Sequence, residues 1–428
     1  MEYIIHNSKQ VNGELHIPGD KSISHRSIML GSIARGTTVI DGFLMGEDCI
    51  STINCFKTLG IDIKMPDPKK ILVHGKGMHG LHQPTHILDA GNSGTTSRIM
   101  LGILAGQSFD SSITGDLSLQ KRPMKRVITP LTLMGARIKS SNKSMLLPLH
   151  IEGNQLHGID YKLPVASAQL KSSLIMAGLF ADQPVKITEQ ISSRNHTELM
   201  LATFGGSLAV KDHTITVHQV EDLYAQEIII PGDISSAAYF ITAALILPNS
   251  QITIRNVGIN PTRTGILEVY KAMGAKIDLE NIKEQNGELI ADITAYSSSL
   301  SSTCIEGDMI PRLIDEIPII AVAAAFANGT TTIGDAQELK IKESNRIQSM
   351  VNELSKMNVN ISETSDGMVI QGGNILQGGI VENYMDHRVT MSMAIAALGA
   401  MGSTTIKGAE YINTSFPQFH DILNRITR

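Results

Sequence analysis

Tryptophan is absent, and aromatic residues make up only 4% of the 428 positions. Proteins that grip single-stranded nucleic acid build stacking platforms from such rings, so that class of partner is not expected. Neither sign of charge dominates: 36 Lys and Arg stand against 41 Asp and Glu, a net charge of -5. Such a balance gives no global reason to bind nucleic acid or an anionic membrane. The three cysteines, Cys49, Cys55 and Cys304, form no metal-ligand spacing and no even disulfide framework. They fit a reducing, cytoplasmic setting, and no metal site is expected from them. Long apolar runs are missing as well. The longest, Ile317 to Ala327, is Ala-rich, contains Pro318 and is too short to span a bilayer. Met1 to Gly13 lacks the basic stretch and apolar core of a secretory signal. What is left is 42% hydrophobic and 18% charged, a globular composition with length enough for two or more domains.

What is present is a repeat. At intervals of roughly 70 residues a polar cluster opens a small-residue apolar helix, which runs into Gly or Gln, Thr and a β-branched strand. The copies open at Lys21-Ser22-Ile23-Ser24-His25-Arg26, Gly91-Asn92-Ser93-Gly94-Thr95-Thr96, Ser167-Ala168-Gln169-Leu170-Lys171, Asp233-Ile234-Ser235-Ser236, Asp315-Glu316 and Asp386-His387-Arg388. Each continues into a second helix, with openings near Gly46-Glu47-Asp48, Arg122-Pro123-Met124, Arg194-Asn195-His196-Thr197, Pro261-Thr262-Arg263, Lys342 to Arg346 and Ser415-Phe416-Pro417. Pro just inside a helix start and Ser, Thr, Asn or Asp caps are the expected signals there. Most second helices should end on a left-handed Gly, at Gly60, Gly135, Gly205 and Gly274, with Asn358 in that role in the fifth copy.

The unit therefore reads as strand–helix–strand–helix–strand plus a further strand such as Ser144 to Ile151 or Met368 to Gln371. Ala321 to Ala327 and Met393 to Ala400 are apolar nearly all round, which describes helices buried on most faces. The expected fold is mixed α/β, with helices inside and sheets wrapped around them. The sixth copy stops after its second helix, from Phe416 to Thr427, and Tyr3-Ile4-Ile5-His6 can supply its missing strand. Pro18-Gly19-Asp20 and Pro231-Gly232-Asp233 repeat one tripeptide before copies one and four. They read as paired crossings between a discontinuous domain, 1–18 with 232–428, and an inserted domain, 20–231. Two adjacent crossings form a natural hinge.

The polar openings are unlike one another, as expected of a site assembled from several copies. Lys21 to Arg26 puts two cations, two hydroxyls and an imidazole at a helix start, where free N–H groups favour phosphate or carboxylate; a capped, solvated helix start reads equally well. The Gly91 to Thr96 turn admits close backbone approach but is no P-loop, and taken alone it reads first as a plain strand–helix turn. Arg98, one turn on, reads as a ligand contact or, by preference, as a structural ion pair. Lys121 to Arg126 holds four cations in six residues, with Pro123 aiming Arg122. Arg194 can clamp a phosphate bidentately. Asp315 is either an acidic cap or a base for a substrate hydroxyl. Lys342 and Arg346 share a helix face beside Glu343, an arrangement that tunes a proton donor. The fourth copy brings little charge and reads as a return across the hinge. Lys and Arg gathered at helix starts in an acidic chain suit a small, multiply anionic substrate pair.

With these strings in order along nearly the whole chain, the sequence resembles the 5-enolpyruvylshikimate-3-phosphate synthases of the enolpyruvyl transferase family. Pro18 to Arg26, Gly91 to Thr96, Arg122-Pro123-Met124, Ser167-Ala168-Gln169, Arg194 to Glu198, Asp315-Glu316-Ile317-Pro318, Lys342 to Arg346 and Asp386-His387-Arg388 carry the resemblance. It implies two domains of three βαβαββ repeats, each an inside-out α/β barrel. It implies transfer of the enolpyruvyl group of phosphoenolpyruvate to the 5-hydroxyl of shikimate 3-phosphate, with release of phosphate. No metal or organic cofactor, and a monomer, are further implications. By the same resemblance Lys21, Ser22, Arg26, Ser167, Ala168, Gln169, Arg194, Asp315 and Lys342 hold shikimate 3-phosphate. Lys21, Asn92, Gly94, Arg122, Gln169, Arg346, His387 and Arg388 hold phosphoenolpyruvate. Asp315, Glu343, Lys342 and Lys21 are the implied catalytic groups.

Two departures stand out. Many relatives carry Lys-Thr-Phe-Pro before the last helix, where this chain has Thr414-Ser415-Phe416-Pro417 and so lacks that cation. Many have Tyr where this chain has Ser193-Arg194-Asn195-His196. Both features resemble the glyphosate-tolerant subgroup, whereas Gly94 keeps the small residue of sensitive enzymes. The related transferases acting on UDP-N-acetylglucosamine carry a reactive Cys shortly before their Arg-Pro. Gly115 to Gln120 contains none.

Overall fold

The computed structural model describes residues 2–140 and 144–427. Its secondary structure repeats with the sequence. In the second copy a strand at Leu88–Asp89 is followed by helix Gly94–Ala105, strand Ser111–Thr114, helix Lys125–Leu133 and strands Arg137–Ser140 and Leu149–Glu152. The leading strand lies parallel to Ser111–Thr114, which is antiparallel to Leu149–Glu152, which in turn pairs antiparallel with Arg137–Ser140. Parallel neighbours require a crossover, and the first helix supplies it. The same strand order recurs in the third and fifth copies.

The remaining copies borrow strands from remote sequence. Glu2–His6 pairs antiparallel with Ser403–Lys407 and gives the sixth copy the strand that its own segment lacks. Asn12–Leu15 lies parallel to Gln251–Gly258 and leads the fourth sheet. Leu223–Tyr224 and Glu227–Ile229 lie parallel to Ala34–Asp41 and lead the first.

The chain divides into two compact units. One comprises the residues up to Pro18, Pro231–Glu284 and those from Leu289 on; the other comprises Gly19–Ile230 with Gln285–Glu288. Nothing in the sequence marked the last four residues, which link strands Lys276–Gln285 and Glu288–Tyr296.

Two kinds of helix build each unit. The first helix of every copy is buried on most faces: Ile317–Phe326 from Ile317 through Ala325, and His387–Gly399 from His387 through Leu398. Apolar residues all round a helix demand neighbours all round. Second helices are one-sided. Phe419–Ile426 buries Phe419, Ile422, Leu423 and Ile426, the stripe of an amphipathic helix. Inner helices also approach closely. A Cβ on Gly102 would lie 2.0 Å from the carbonyl oxygen of Ser173, so helix Gly94–Ala105 meets helix Ala168–Gly178 backbone to backbone.

Local signals held at most helix ends. Gly60, Gly135, Gly205, Gly274 and Asn358 all have positive φ just past a second helix. Side chains of Asp20, Ser93, Ser167, Asp233 and Asp386 cap first helices. Two details differ from expectation. Pro123, Pro261 and Pro417 precede their helices, which begin at Lys125, Gly265 and Phe419, rather than standing just inside them; Arg122 is extended, at φ −82° and ψ 135°, as suits a residue before Pro. The strand expected from Ser144 begins at Leu149, after Pro148, which has no N–H for the ladder.

Candidate active site

In the unit built on Gly19–Ile230, three inner-helix starts and two second-helix starts carry the cations. Lys21 is half-buried and ion-paired with Asp48. Arg26, one turn further, is buried; it donates to Ser22 O at 2.9 Å, Thr197 Oγ1 at 2.6 Å and Ser172 Oγ at 2.7 Å. Burial lowers its pKa to about 10, with Glu198 and Asp20 favouring the charge and Arg194 opposing it. Arg122 NH2 donates to Asn92 Oδ1 at 2.6 Å, while Asn92 Nδ2 donates to Asp116 Oδ2 at 2.6 Å. Asp116 thus orients Asn92, and Asn92 orients Arg122.

Gly94 is the first residue of its helix, and Ser167 caps the helix that Ala168 and Gln169 begin. Gln169 Nε2 donates to Thr95 Oγ1 at 3.1 Å, and its Oε1 accepts from Arg98 NH1 at 3.1 Å. Arg98 also donates to Gly94 O at 3.4 Å and Pro123 O at 3.3 Å. One guanidinium therefore ties the Asn92 turn, the Gln169 helix start and the Arg122 segment together. Read from the sequence as a ligand contact or a structural ion pair, Arg98 bonds here to two carbonyls and an amide of the segments expected to bind ligand. Arg194 is half-buried in the loop before helix His196–Thr203.

In the other unit the candidate residues converge on two buried arginines. Arg346 NH1 donates to Asp315 Oδ1 at 3.2 Å, its Nε to Asp386 Oδ2 at 2.9 Å, and its NH2 to Glu343. Arg388 NH1 donates to the carbonyl of Asp315 at 3.1 Å, and its NH2 lies 3.7 Å from the Asp315 carboxylate. Burial opposes charge on both, yet the carboxylates around them hold their pKa values above the ordinary arginine value. His387 is buried at the start of its helix, and Lys342 is half-buried just ahead of Glu343, in extended backbone before helix Arg346–Lys356, so it does not share a helix face with Arg346 as the spacing suggested. Asp386 does two jobs, capping its helix through Oδ1 and fixing Arg346 through Oδ2.

Asp315 is not a helix cap. The cap position of Ile317–Phe326 belongs to Glu316, whose side chain makes no capping bond. Glu316 instead accepts from Ser235 and lies 3.9 Å from Arg388 NH1. Ser235 accepts from Arg263 NH2 at 2.8 Å, and Arg263 pairs with Asp233 at 3.0 Å. The fourth copy, read as nearly uncharged, thus contributes a buried ion pair linked through Ser235 and Glu316 to Arg388. Pro261-Thr262-Arg263 was visible as a helix opening, but its partner Asp233 is 30 residues away. Among the described residues, no cluster of His, Cys, Asp and Glu is arranged to hold a metal ion.

Helix starts dense in Lys and Arg, one set of them holding a carboxylate between two guanidiniums, define an enzyme that handles small anions and moves protons among them. Residues 5–423 match the family model described as EPSP synthase (3-phosphoshikimate 1-carboxyvinyltransferase). A 3-phosphoshikimate 1-carboxyvinyltransferase from Thermoanaerobacter sp. (strain X514) is 53% identical over 420 residues, covering 98% of this chain and 99% of the relative. One from Desulforamulus reducens is 51% identical over 426 residues, covering 100% and 99%. A solved EPSP synthase from Acinetobacter baumannii superposes with TM-score 0.89 at 44% identity, covering 99% of this chain and 98% of that one. The chain belongs to the EPSP synthase family.

Proposed function

We propose that the chain transfers the enolpyruvyl group of phosphoenolpyruvate to shikimate 3-phosphate, the reaction of its family and a step of the shikimate pathway, by addition and elimination at the helix starts described above. Shikimate 3-phosphate is held by Lys21, Ser22, Arg26, Ser167, Ala168, Gln169 and Arg194, with Asp315 and Lys342 at its reacting hydroxyl. Phosphoenolpyruvate is held by Lys21, Asn92, Gly94, Arg122, Gln169, Arg346, His387 and Arg388.

Asp315 takes the proton of the 5-hydroxyl as its oxygen bonds to C2 of phosphoenolpyruvate. Lys342 or Glu343 delivers a proton to C3, so the double bond becomes a C–H bond and a tetrahedral intermediate forms. Loss of a proton from C3 then re-forms the double bond as the C–O bond to phosphate breaks. The observation that carries this reading is Asp315 bound to Arg346, whose guanidinium also holds Glu343 and Asp386. Such a cluster holds the carboxylates in fixed positions around one guanidinium, as positioned proton transfer requires. The guanidiniums stabilise developing negative charge.

The finer fold expectation, an inside-out barrel in each half, belongs to this proposal and is supported by the burial of the first helices. So do a hinge at the two Pro-Gly-Asp crossings, a monomeric state and a cytoplasmic location. Cys49, Cys55 and Cys304 as thiols rather than disulfides fit that compartment. A coupled phosphate assay tests the function. Phosphate is released only when phosphoenolpyruvate and shikimate 3-phosphate are both present, and release with UDP-N-acetylglucosamine in place of the latter refutes it.

A further inference from the structure

Lys171, a charged group at a helix start, has no part in the scheme above. Lys171 lies one turn inside helix Ala168–Gly178, and its side chain is 1% exposed. A buried ammonium is costly unless its three donors are met. Here Nζ lies 2.8 Å from Glu189 Oε2, 2.7 Å from Glu198 Oε1 and 3.1 Å from the carbonyl oxygen of Ser193. Those three partners are spread along one loop. Glu189 directly follows strand Val185–Thr188, Ser193 lies midway, and Glu198 is in the first turn of helix His196–Thr203. Glu189 Oε1 adds two bonds within the loop, from Ser193 N at 3.1 Å and Ser193 Oγ at 2.5 Å. Arg194 sits inside the segment so pinned.

A second tie runs alongside. Ser172, next to Lys171, is 2.6 Å from Thr197, next to Glu198, and both hydroxyls accept from Arg26. The charges also interlock: one Lys against two carboxylates leaves an excess negative charge, and Glu198 favours the cation on Arg26.

We infer that Lys171 is a positioning residue, which staples the Glu189–Glu198 loop to the helix start bearing Ser167 and Gln169 and so sets Arg194 for the phosphate of shikimate 3-phosphate. The inference rests on the proposed placement of that substrate. The Lys171 ammonium bonds to none of the residues proposed to touch shikimate 3-phosphate, so it acts on affinity through the loop.

The test compares Lys171→Met, Lys171→Arg and Arg194→Ala by steady-state kinetics with each substrate varied. Lys171→Met is expected to raise KM for shikimate 3-phosphate roughly 10- to 100-fold, the usual cost of a misplaced binding group. Its kcat and its KM for phosphoenolpyruvate should stay within about threefold, since the Asn92–Arg122 pair is untouched. Lys171→Arg should recover part of the loss. Should Lys171→Met fold poorly, Lys171→Met with Glu198→Gln removes one stranded carboxylate and is assayed in its place. An unchanged KM for shikimate 3-phosphate, or equal rises for both substrates, overturns the staple when Arg194→Ala does raise that KM. If Arg194→Ala leaves KM unchanged, the substrate placement fails instead. Hydrogen exchange of residues 190–195 then judges the staple alone: faster exchange in the Lys171 variant supports it, and unchanged exchange refutes it.

Discussion

Replacing Asp315 by Asn separates its two possible jobs. The amide keeps the size of the carboxylate and an oxygen to accept from Arg346 NH1, 3.2 Å away. It removes the charge and the ability to take a proton. Arg346 retains Glu343 and Asp386, and Arg388 retains the Asp315 carbonyl, so neither guanidinium is stranded. Weakening one charge-assisted bond to a substrate hydroxyl costs about 1.5–3 kcal/mol at most, and replacing it by a neutral bond costs about half of that, roughly a tenfold loss in affinity. Loss of a general base costs roughly 100- to 10,000-fold in turnover. Isothermal titration with shikimate 3-phosphate and single-turnover phosphate release measure the two quantities independently. Turnover is expected to fall at least tenfold more than affinity. Equal losses would refute the assignment of Asp315 as base and leave it a binding group.

Two further outcomes concern buried groups away from the reacting atoms. Arg263→Met takes the guanidinium from Asp233 and leaves that carboxylate its cap bond from Ser235 N, and breaking such a buried pair costs roughly 3–5 kcal/mol in chemical denaturation; a loss below about 1 kcal/mol would show that the remaining partners or water relieve Asp233. Burial first, then Lys21 and Arg26, hold the pKa of His25 well below 6.5, against a weaker pull from Asp20. The unfolded chain therefore binds a proton below 6.5 that the folded chain does not, and stability falls as pH drops through that range, by up to about 1.4 kcal/mol per unit. His25→Gln should flatten the slope of stability between pH 6.5 and 5, and an unaltered slope would refute the assignment.

Much of the fold was legible because its signals are local. A Gly past Leu59 or Met134 ends a helix by its own backbone freedom, and Ser93 or Asp386 caps one within three residues. Nearly all-round apolar segments such as Ala321 to Ala327 announced burial. Even the strand borrowed from Glu2–His6 followed from counting what the sixth copy lacked. Less legible were roles set by partners far along the chain. Nothing near Arg98 in sequence announced its bond to Gln169, 71 positions on. Glu316 looked like half of an acidic cap, but Ser235, 81 positions away, turns it elsewhere. Lys171 was visible in a polar opening, yet nothing local said that it would be sealed between Glu189 and Glu198.

The sequence by itself determined the repeat, the helix ends, the cations at helix starts and the family, because these depend on residue type and short spacing. Only the tertiary structure decided which charges meet. Partner choice for a buried charge is settled by whichever carboxylate, hydroxyl or carbonyl the packing of inner helices brings within hydrogen-bond reach, and a desolvated cation must take the partners found there. That is why Arg346 holds Asp315, Glu343 and Asp386 together, and why Lys171 closes a loop that its own helix does not contain.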